Sequence, residues 1–202
     1  MALPPRDSDR DFSAYNAAQA GRPPRPLARR ALAALRERVP APRRPLAVDL
    51  GCGAGIESRF LAENGCEVLA IDGDPSVRPV LDALAQTLPI QVLIQRLQEL
   101  KHLPDADLVL SCAALPFVPR SHWDALWARA VGSLRPGGVI AVDLFGDHDD
   151  WASAEGTYLR RDEVEAMTRD LDVIEIGEEE WDGGSFSGRK HWHTYQVIAR
   201  RR

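Results

Sequence analysis

The stretch "AVDLGCGAG", residues 47–55, constrains this chain more than any other: an apolar, strand-like run breaks into glycines at positions 51, 53 and 55. A strand that turns at glycines into a helix brings free backbone N–H groups and a positive helix end to a sheet's carboxyl edge, where a ligand's polar group can sit. The dinucleotide fingerprint is G-x-G-x-x-G. Here the spacing is G-x-G-x-G, with Ile56 where the third glycine would fall, so a nucleotide-dependent oxidoreductase is disfavoured. Asp72 lies 21 residues beyond Gly51, at the end of the next strand-like run. A carboxylate there can accept both hydroxyls of a ribose, which suits any adenosine-type ligand. Asp74, followed by Pro75, reads instead as a helix N-cap with proline at the first helical position.

Strand and helix signals alternate from residue 46 onward. The spacing predicts strands over 46–50, 67–71, 90–94, 107–111, 139–144, 173–178 and 193–199. Helices are predicted over 56–64, 75–88, 122–134 and 163–170, with capping-box spacings at Ser121/Asp124 and Asp162/Glu165. Such alternation gives a parallel sheet with helices on both faces. The last two strands are joined only by "WDGGSFSGR", too short for a helical crossover, so the final strand returns antiparallel. Residues 1–45 form a separate arm: a proline-rich stretch with a short helix near 12–20, then a helix over 27–38 stopped by Pro40 and Pro42. Two segments follow, the arm as a cover for cofactor and substrate and residues 46–202 as the main domain.

Charge is uneven along these 202 residues, whose net charge is −5. Residues 1–45 carry +6 and the remainder −11, which disfavours a general nucleic-acid binder. Arg29, Arg30, Arg36 and Arg38 alternate with Ala and Leu as the solvated face of an amphipathic helix does. Cys52, Cys66 and Cys112 form no C-x-x-C pair, so they read as packing residues rather than a disulfide framework or zinc site. No apolar run reaches the roughly 18–20 residues of a membrane span, and "MALPPRDSDRDFS" is no signal peptide. A cytoplasmic protein without a membrane partner is expected.

Asp49 to Gly55, Asp72, "DLVLSCAALPF" and "LRPGGVIAVDLFG", in this order and spacing, resemble the successive motifs of class I S-adenosylmethionine-dependent methyltransferases. The C-terminal "EEEWDGGSFSGRKHWHTYQVIARR" is similar to the tail of a bacterial group related to tellurite-resistance-type enzymes. The resemblance implies a Rossmann-like, seven-stranded sheet with an antiparallel last strand, and S-adenosylmethionine as cofactor. It further implies that Asp49 holds the cofactor's amino group through water or backbone, that Gly51, Cys52, Gly53 and Gly55 let the chain approach its methionine part, and that Asp72 binds the ribose. Where the family often has an acid facing adenine, this chain offers Arg96; backbone near Leu97 and stacking by Gly73 or Leu97 are the substitutes. Ser111 is expected to line the cofactor, and Pro116, Phe117 and Tyr15 the acceptor side.

Topology also gathers Asp147, His148, Asp149, Glu178, Glu179, Glu180, His191 and His193 on one rim. His191 and His193, two apart on a strand, share a face. They can be read as metal ligands, as a base or acceptor contact with His148, or as structural histidines; no metal is assigned. The function expected is methyl transfer to a small-molecule acceptor. The alternative is a catalytically inactive cofactor-binding partner or sensor module.

Overall fold

The structure, a computed structural model, describes residues 11–37 and 43–202. The expected helix stops at Pro40 and Pro42, and Arg38, lie outside the described residues. Two helices, α1 (Phe12–Ala18) and α2 (Pro26–Arg36), precede β1 (Leu46–Leu50), α3 (Ile56–Glu63), β2 (Glu67–Asp72), α4 (Arg78–Ala85), β3 (Ile90–Ile94) and β4 (Ala106–Ser111). Then come α5 (Arg120–Ser133), β5 (Leu134–Gly146), the short β6 (Tyr158–Leu159), α6 (Arg161–Thr168), β7 (Leu171–Ser185) and β8 (Gly188–Arg201). The sheet order is β3-β2-β1-β4-β5-β8-β7, with β6 paired to the end of β5. Strands β1 to β5 run parallel, and β8 lies antiparallel between β5 and β7.

Each face of the sheet buries its own core. One packs Trp123, Leu126 and Trp127 of α5 and Val164 of α6 against Ile140, Val142 and Leu144. The other packs α2, α3 and α4 against Ala47, Leu108, Val139 and Ala141. In α2, Leu27, Ala31 and Leu35 recur at helical spacing and are buried, as are Ala28 and Leu32. Each buried leucine contributes about 1.5–3 kcal/mol. Arg29 and Arg36 take the solvated face, whereas Arg30 reaches Gln196 and Glu175 on the sheet. No helix among the described residues is long and apolar enough to cross a membrane.

The end of the chain differs most from expectation. The supposed connection "WDGGSFSGR" is itself mostly strand: β7 and β8 pair from Leu171↔Arg201 to Ser185↔Gly188, with one register shift between Val173 and Glu175, leaving only Phe186 and Ser187 as the turn. Gly188, at φ 115°, supplies the conformation that so tight a reversal needs. Because β5 pairs β8 only as far as Phe145↔Thr194, the outer part of the hairpin overshoots the sheet as a two-stranded ribbon. Strand β5 also begins earlier, at Leu134, beyond a register shift opposite β4. The cap at Asp74 is present, its Oδ1 accepting from Ser76 N at 2.9 Å. The expected capping box at Asp162 is displaced: α6 starts earlier, and Glu163 Oε2 accepts from Arg160 N at 2.9 Å. Likewise α5 starts at Arg120, after Pro119, so Ser121 lies inside its first turn.

Candidate active site

At the carboxyl end of β1, Gly51, Gly53 and Gly55 all have positive φ, at 73°, 50° and 74°. A β-carbon on Gly51 would stand 2.0 Å from Ala114 Cβ, so both the turn and the approach of the β4 loop require glycine. Gly51 N and Cys52 N donate to Ile71 O, and Gly53 N donates to Asp72 Oδ2 at 2.7 Å. Asp72 Oδ1 accepts from Asp74 N at 2.8 Å. The carboxylate thus ties the loop to β2, and each oxygen keeps a second lone pair for an incoming hydroxyl.

Asp49 is buried, its Oδ2 accepting from the Ser58 hydroxyl at 2.6 Å. Burial first, then the nearby Glu57 and Asp72 carboxylates, push it up to about 7 despite that bond. Burial would also raise Glu57, but the Arg22 guanidinium, donating to both of its oxygens at 2.7 and 2.8 Å, and Arg25 N hold it below the usual range. Burial raises Asp72 as well. The loop is therefore surrounded by three carboxylates and approached by Arg22. These acceptor groups fit a ligand carrying an ammonium and a sulfonium, and oppose a pyrophosphate.

Five residues expected as contacts are placed otherwise. Ser111 is fully buried and its hydroxyl donates to Leu50 O at 2.8 Å, tying β1 to β4 rather than facing a ligand. Leu97 and Cys52 point their side chains into the two cores, leaving only their backbones near the cleft. Pro116 is buried, and its carbonyl accepts from Thr157 N at 2.9 Å, anchoring the segment after β5. Arg96 is exposed and its backbone lies against Gly73, whose added β-carbon would meet Arg96 Cα at 3.4 Å.

Beside the loop, on the α2 face, a cavity of about 350 Å³ opens between α1, the end of β5 and the ribbon. Phe12 and Tyr15 of α1, Phe117, Phe145 and Trp151 line one side, and Trp181, Phe186 and Trp192 of the hairpin line the other. The rings pack edge to face: Phe12 on Phe117 at 5.3 Å, Tyr15 on Phe186 at 5.7 Å and Phe145 on Trp192 at 5.7 Å. Asp143, Glu179 and Arg25 supply charge. Burial raises Asp143 to about 6, although Gln196 Nε2 donates to its Oδ1 at 2.7 Å and Arg25 and Arg30 lie near. Arg25 donates to Tyr15 OH at 3.0 Å.

The three histidines do not reach this cavity. Trp192, Thr194 and Gln196 line it, so strand alternation turns His191 and His193 to the opposite face of β8. His193 is 1% exposed; it accepts from His148 N on Nδ1 at 3.2 Å, which places its proton on Nε2 toward Glu178 Oε1 at 3.2 Å. A β-carbon on Gly146 would stand 2.0 Å from that ring. His191 binds Asp182 and Glu180, which raise it, the Asp182 hydrogen bond most; His148 also meets Glu180, at 3.1 Å. Asp147, His148 and His193, and Glu178, Glu180 and His193, lie close enough to hold an ion, but on this outer face. The structure does not bring these histidines to the cavity as a catalytic or acceptor contact requires: the rim exists, but they look away from the cavity, and of its members only Glu179 lines it.

Sequence reading missed Asp143 and the tryptophans. Asp143 sits inside an apolar strand run, "VIAVDLFG", and an acid there was itself the available signal.

A parallel sheet in this order, with a reversed last strand beside β5 and a glycine loop facing an acid at the end of β2, defines the class I methyltransferase fold. Residues 48–142 match the methyltransferase domain family Methyltransf_11, and the chain is similar to the S-adenosylmethionine-dependent methyltransferases of that class. Over 127 residues, 61% of this chain, it is 37% identical to trans-aconitate 2-methyltransferase of Mycobacterium tuberculosis. The aligned part is 46% of that relative, so the chain spans about half the length of the curated relatives it matches. Among solved structures it is similar to TehB from Haemophilus influenzae, with a TM-score of 0.76 at 16% identity over 95% of this chain and 67% of that one. It is also similar to the 1,6-didemethyltoxoflavin-N1-methyltransferase of Burkholderia thailandensis, with a TM-score of 0.63 at 18% identity over 96% and 86% of the two chains.

Proposed function

We propose that the chain binds S-adenosylmethionine at the glycine loop and transfers its methyl group to a small-molecule acceptor in the adjoining cavity. The observation that carries this reading is the pair of acceptor carboxylates at the loop, Asp49 and Asp72, around three left-handed glycines, with an aromatic-lined cavity next to them. Asp72 would take the ribose hydroxyls on its free lone pairs, and Asp49 the amino group. The backbone of Gly51 and Gly53 would pass beside the methionine part. Bound there, S-adenosylmethionine would supply an electrophilic methyl group carried on a sulfonium.

The chain's own task is to hold the acceptor in line with the methyl, an arrangement worth roughly 7–11 kcal/mol in well-oriented systems. Asp143 lines the cavity, and among the described residues no hydrogen bond ends on its Oδ2. It would take the proton released when a hydroxyl or N–H becomes methylated. Its elevation to about 6 leaves it ionised at neutral pH yet basic enough to serve. Helix α1 would cover both positions, since Asn16 Nδ2 donates to Asp74 Oδ2 at 3.2 Å while Phe12 and Tyr15 line the cavity. The three cysteines are unpaired, in keeping with a cytoplasmic enzyme.

Calorimetric titration with S-adenosylmethionine, S-adenosylhomocysteine and NAD tests the reading. Micromolar binding of the first two, weakened by Asp72→Ala, is expected; preference for NAD, or no binding by folded protein, overturns it.

A further inference from the structure

We infer that the acceptor is a neutral, planar aromatic or heteroaromatic molecule carrying one methylatable hydroxyl or N–H and a hydrogen-bond acceptor, and not a polycarboxylate. The inference rests on the methyltransferase reading and concerns the cavity alone.

Eight aromatic side chains line a space of about 350 Å³, within the range of small-molecule pockets. Such walls favour a flat, polarisable ligand that stacks and meets ring edges. Charge then narrows the class. A tri-anion needs several cations, yet Arg25 is the cation of the lining, one of its guanidinium nitrogens is bound to Tyr15, and Asp11, Asp143 and Glu179 face the same space. A polycarboxylate would be desolvated against like charge.

A cationic acceptor is disfavoured as well, because a cation already stands against part of the aromatic wall. Lys190 Nζ stands 3.8 Å from the Trp151 ring centroid, 3.9 Å from that of Trp192 and 5.0 Å from that of Phe145, and it is ion-paired with the buried Asp149. Three of the eight rings are thus already engaged by a fixed positive charge, which disfavours a second one beside them.

The polar groups specify the remainder. Asp143 accepts a proton donor. Arg25 also lines the cavity, and its guanidinium can donate to a carbonyl oxygen or ring nitrogen on the ligand. A flat molecule with a donor and an acceptor separated by a ring system meets these demands together.

The test titrates the full chain, saturated with S-adenosylhomocysteine, with 6-hydroxyquinoline and separately with trans-aconitate. Saturable binding of 6-hydroxyquinoline at least tenfold tighter than that of trans-aconitate, and weakened at least fivefold by both Trp192→Phe and Phe186→Ala, is expected. Phe186 lies exposed at the hairpin turn, so its variant keeps the test sound if the indole change disturbs folding. Tighter binding of trans-aconitate, no saturable binding of 6-hydroxyquinoline, or binding indifferent to both variants overturns the inference. Because S-adenosylhomocysteine binding is measured first, failure of the acceptor class is distinguishable from failure of the methyltransferase reading. If the folded chain does not bind S-adenosylhomocysteine, both fall.

Discussion

Around the glycine loop, the functional groups from Asp49 to Asp74 belong to one strand–loop–helix–strand run, and backbone N–H groups make most of the contacts: Gly53 N and Asp74 N to Asp72, Gly51 N to Ile71 O. The cavity wall is assembled otherwise. Phe12, Phe117, Phe145, Trp151 and Trp192 come from distant segments and meet through side chains, with Asp143 inserted among them from a core strand. The first region needs particular backbone angles, so its residues are few in kind and close in sequence. The second needs only bulk and polarity at points in space, so many chain segments can supply it. The difference explains how a fold keeps one cofactor while its acceptors vary.

Substitutions in the two regions should separate binding from chemistry. Asp143→Asn keeps the shape and the bond partner but removes the base, and should lower turnover on a hydroxyl acceptor by about 10²- to 10⁴-fold with cofactor affinity unchanged. Single-turnover rates beside titrations would show it; an equal loss of affinity would merge the two regions.

Gly51→Ala and Gly146→Ala make a matched pair, since each added β-carbon meets an atom at 2.0 Å. Overpacking at either costs about 1–3 kcal/mol. Gly51 carries the further strain of φ 73°, whereas Gly146 meets the His193 ring. Thermal melts should therefore rank Gly51→Ala as the more damaging, with cofactor binding lost there and retained in Gly146→Ala.

His193→Ala should lower the melting temperature while leaving turnover within a few-fold of the parent, because its bonds to Glu178 and His148 brace the outer face. A large fall in turnover with an unchanged melting curve would return the histidine to the chemistry.

The smallest effect concerns pH. Asp49, raised to about 7, is half protonated near neutrality, and an ammonium ligand binds its ionised form. Cofactor affinity should rise by about tenfold between pH 6 and 8, with proton release visible as a buffer-dependent heat. Turnover should separately rise with pH through about 6 as Asp143 ionises. For stability the sign is opposite: both folded values lie above the unfolded one, so the stabilising contribution is full below the unfolded value. It is lost as pH rises through about 6 to 7.

The parallel sheet, the glycine loop, the cap at Asp74 and the reversed last strand were legible because each leaves a local pattern: alternation, φ-permissive residues, a proline at the first helical position. The rim of histidines was legible as a place but not as a direction. Which face of β8 they occupy depends on the register Glu180↔His193 and Trp181↔Trp192, and a register is set by pairing rather than by composition. The same ribbon hid the cavity. "WDGGSFSGR" reads as a loop because Gly183, Gly184 and Gly188 are poor strand formers, and only the pairing with "RKHWH" holds it extended.

The indoles carry one more consequence. Trp123 and Trp127 stack in the core at 5.8 Å and 19°, and Trp181 and Trp192 stack in the ribbon at 5.7 Å and 11°. Two chromophores so close couple their excitations, so each pair should contribute its own signal to the circular dichroism. The folded domain thus carries two internal optical gauges, one seated under α5 and one in the ribbon, able to register loss of the hairpin while the sheet is still intact.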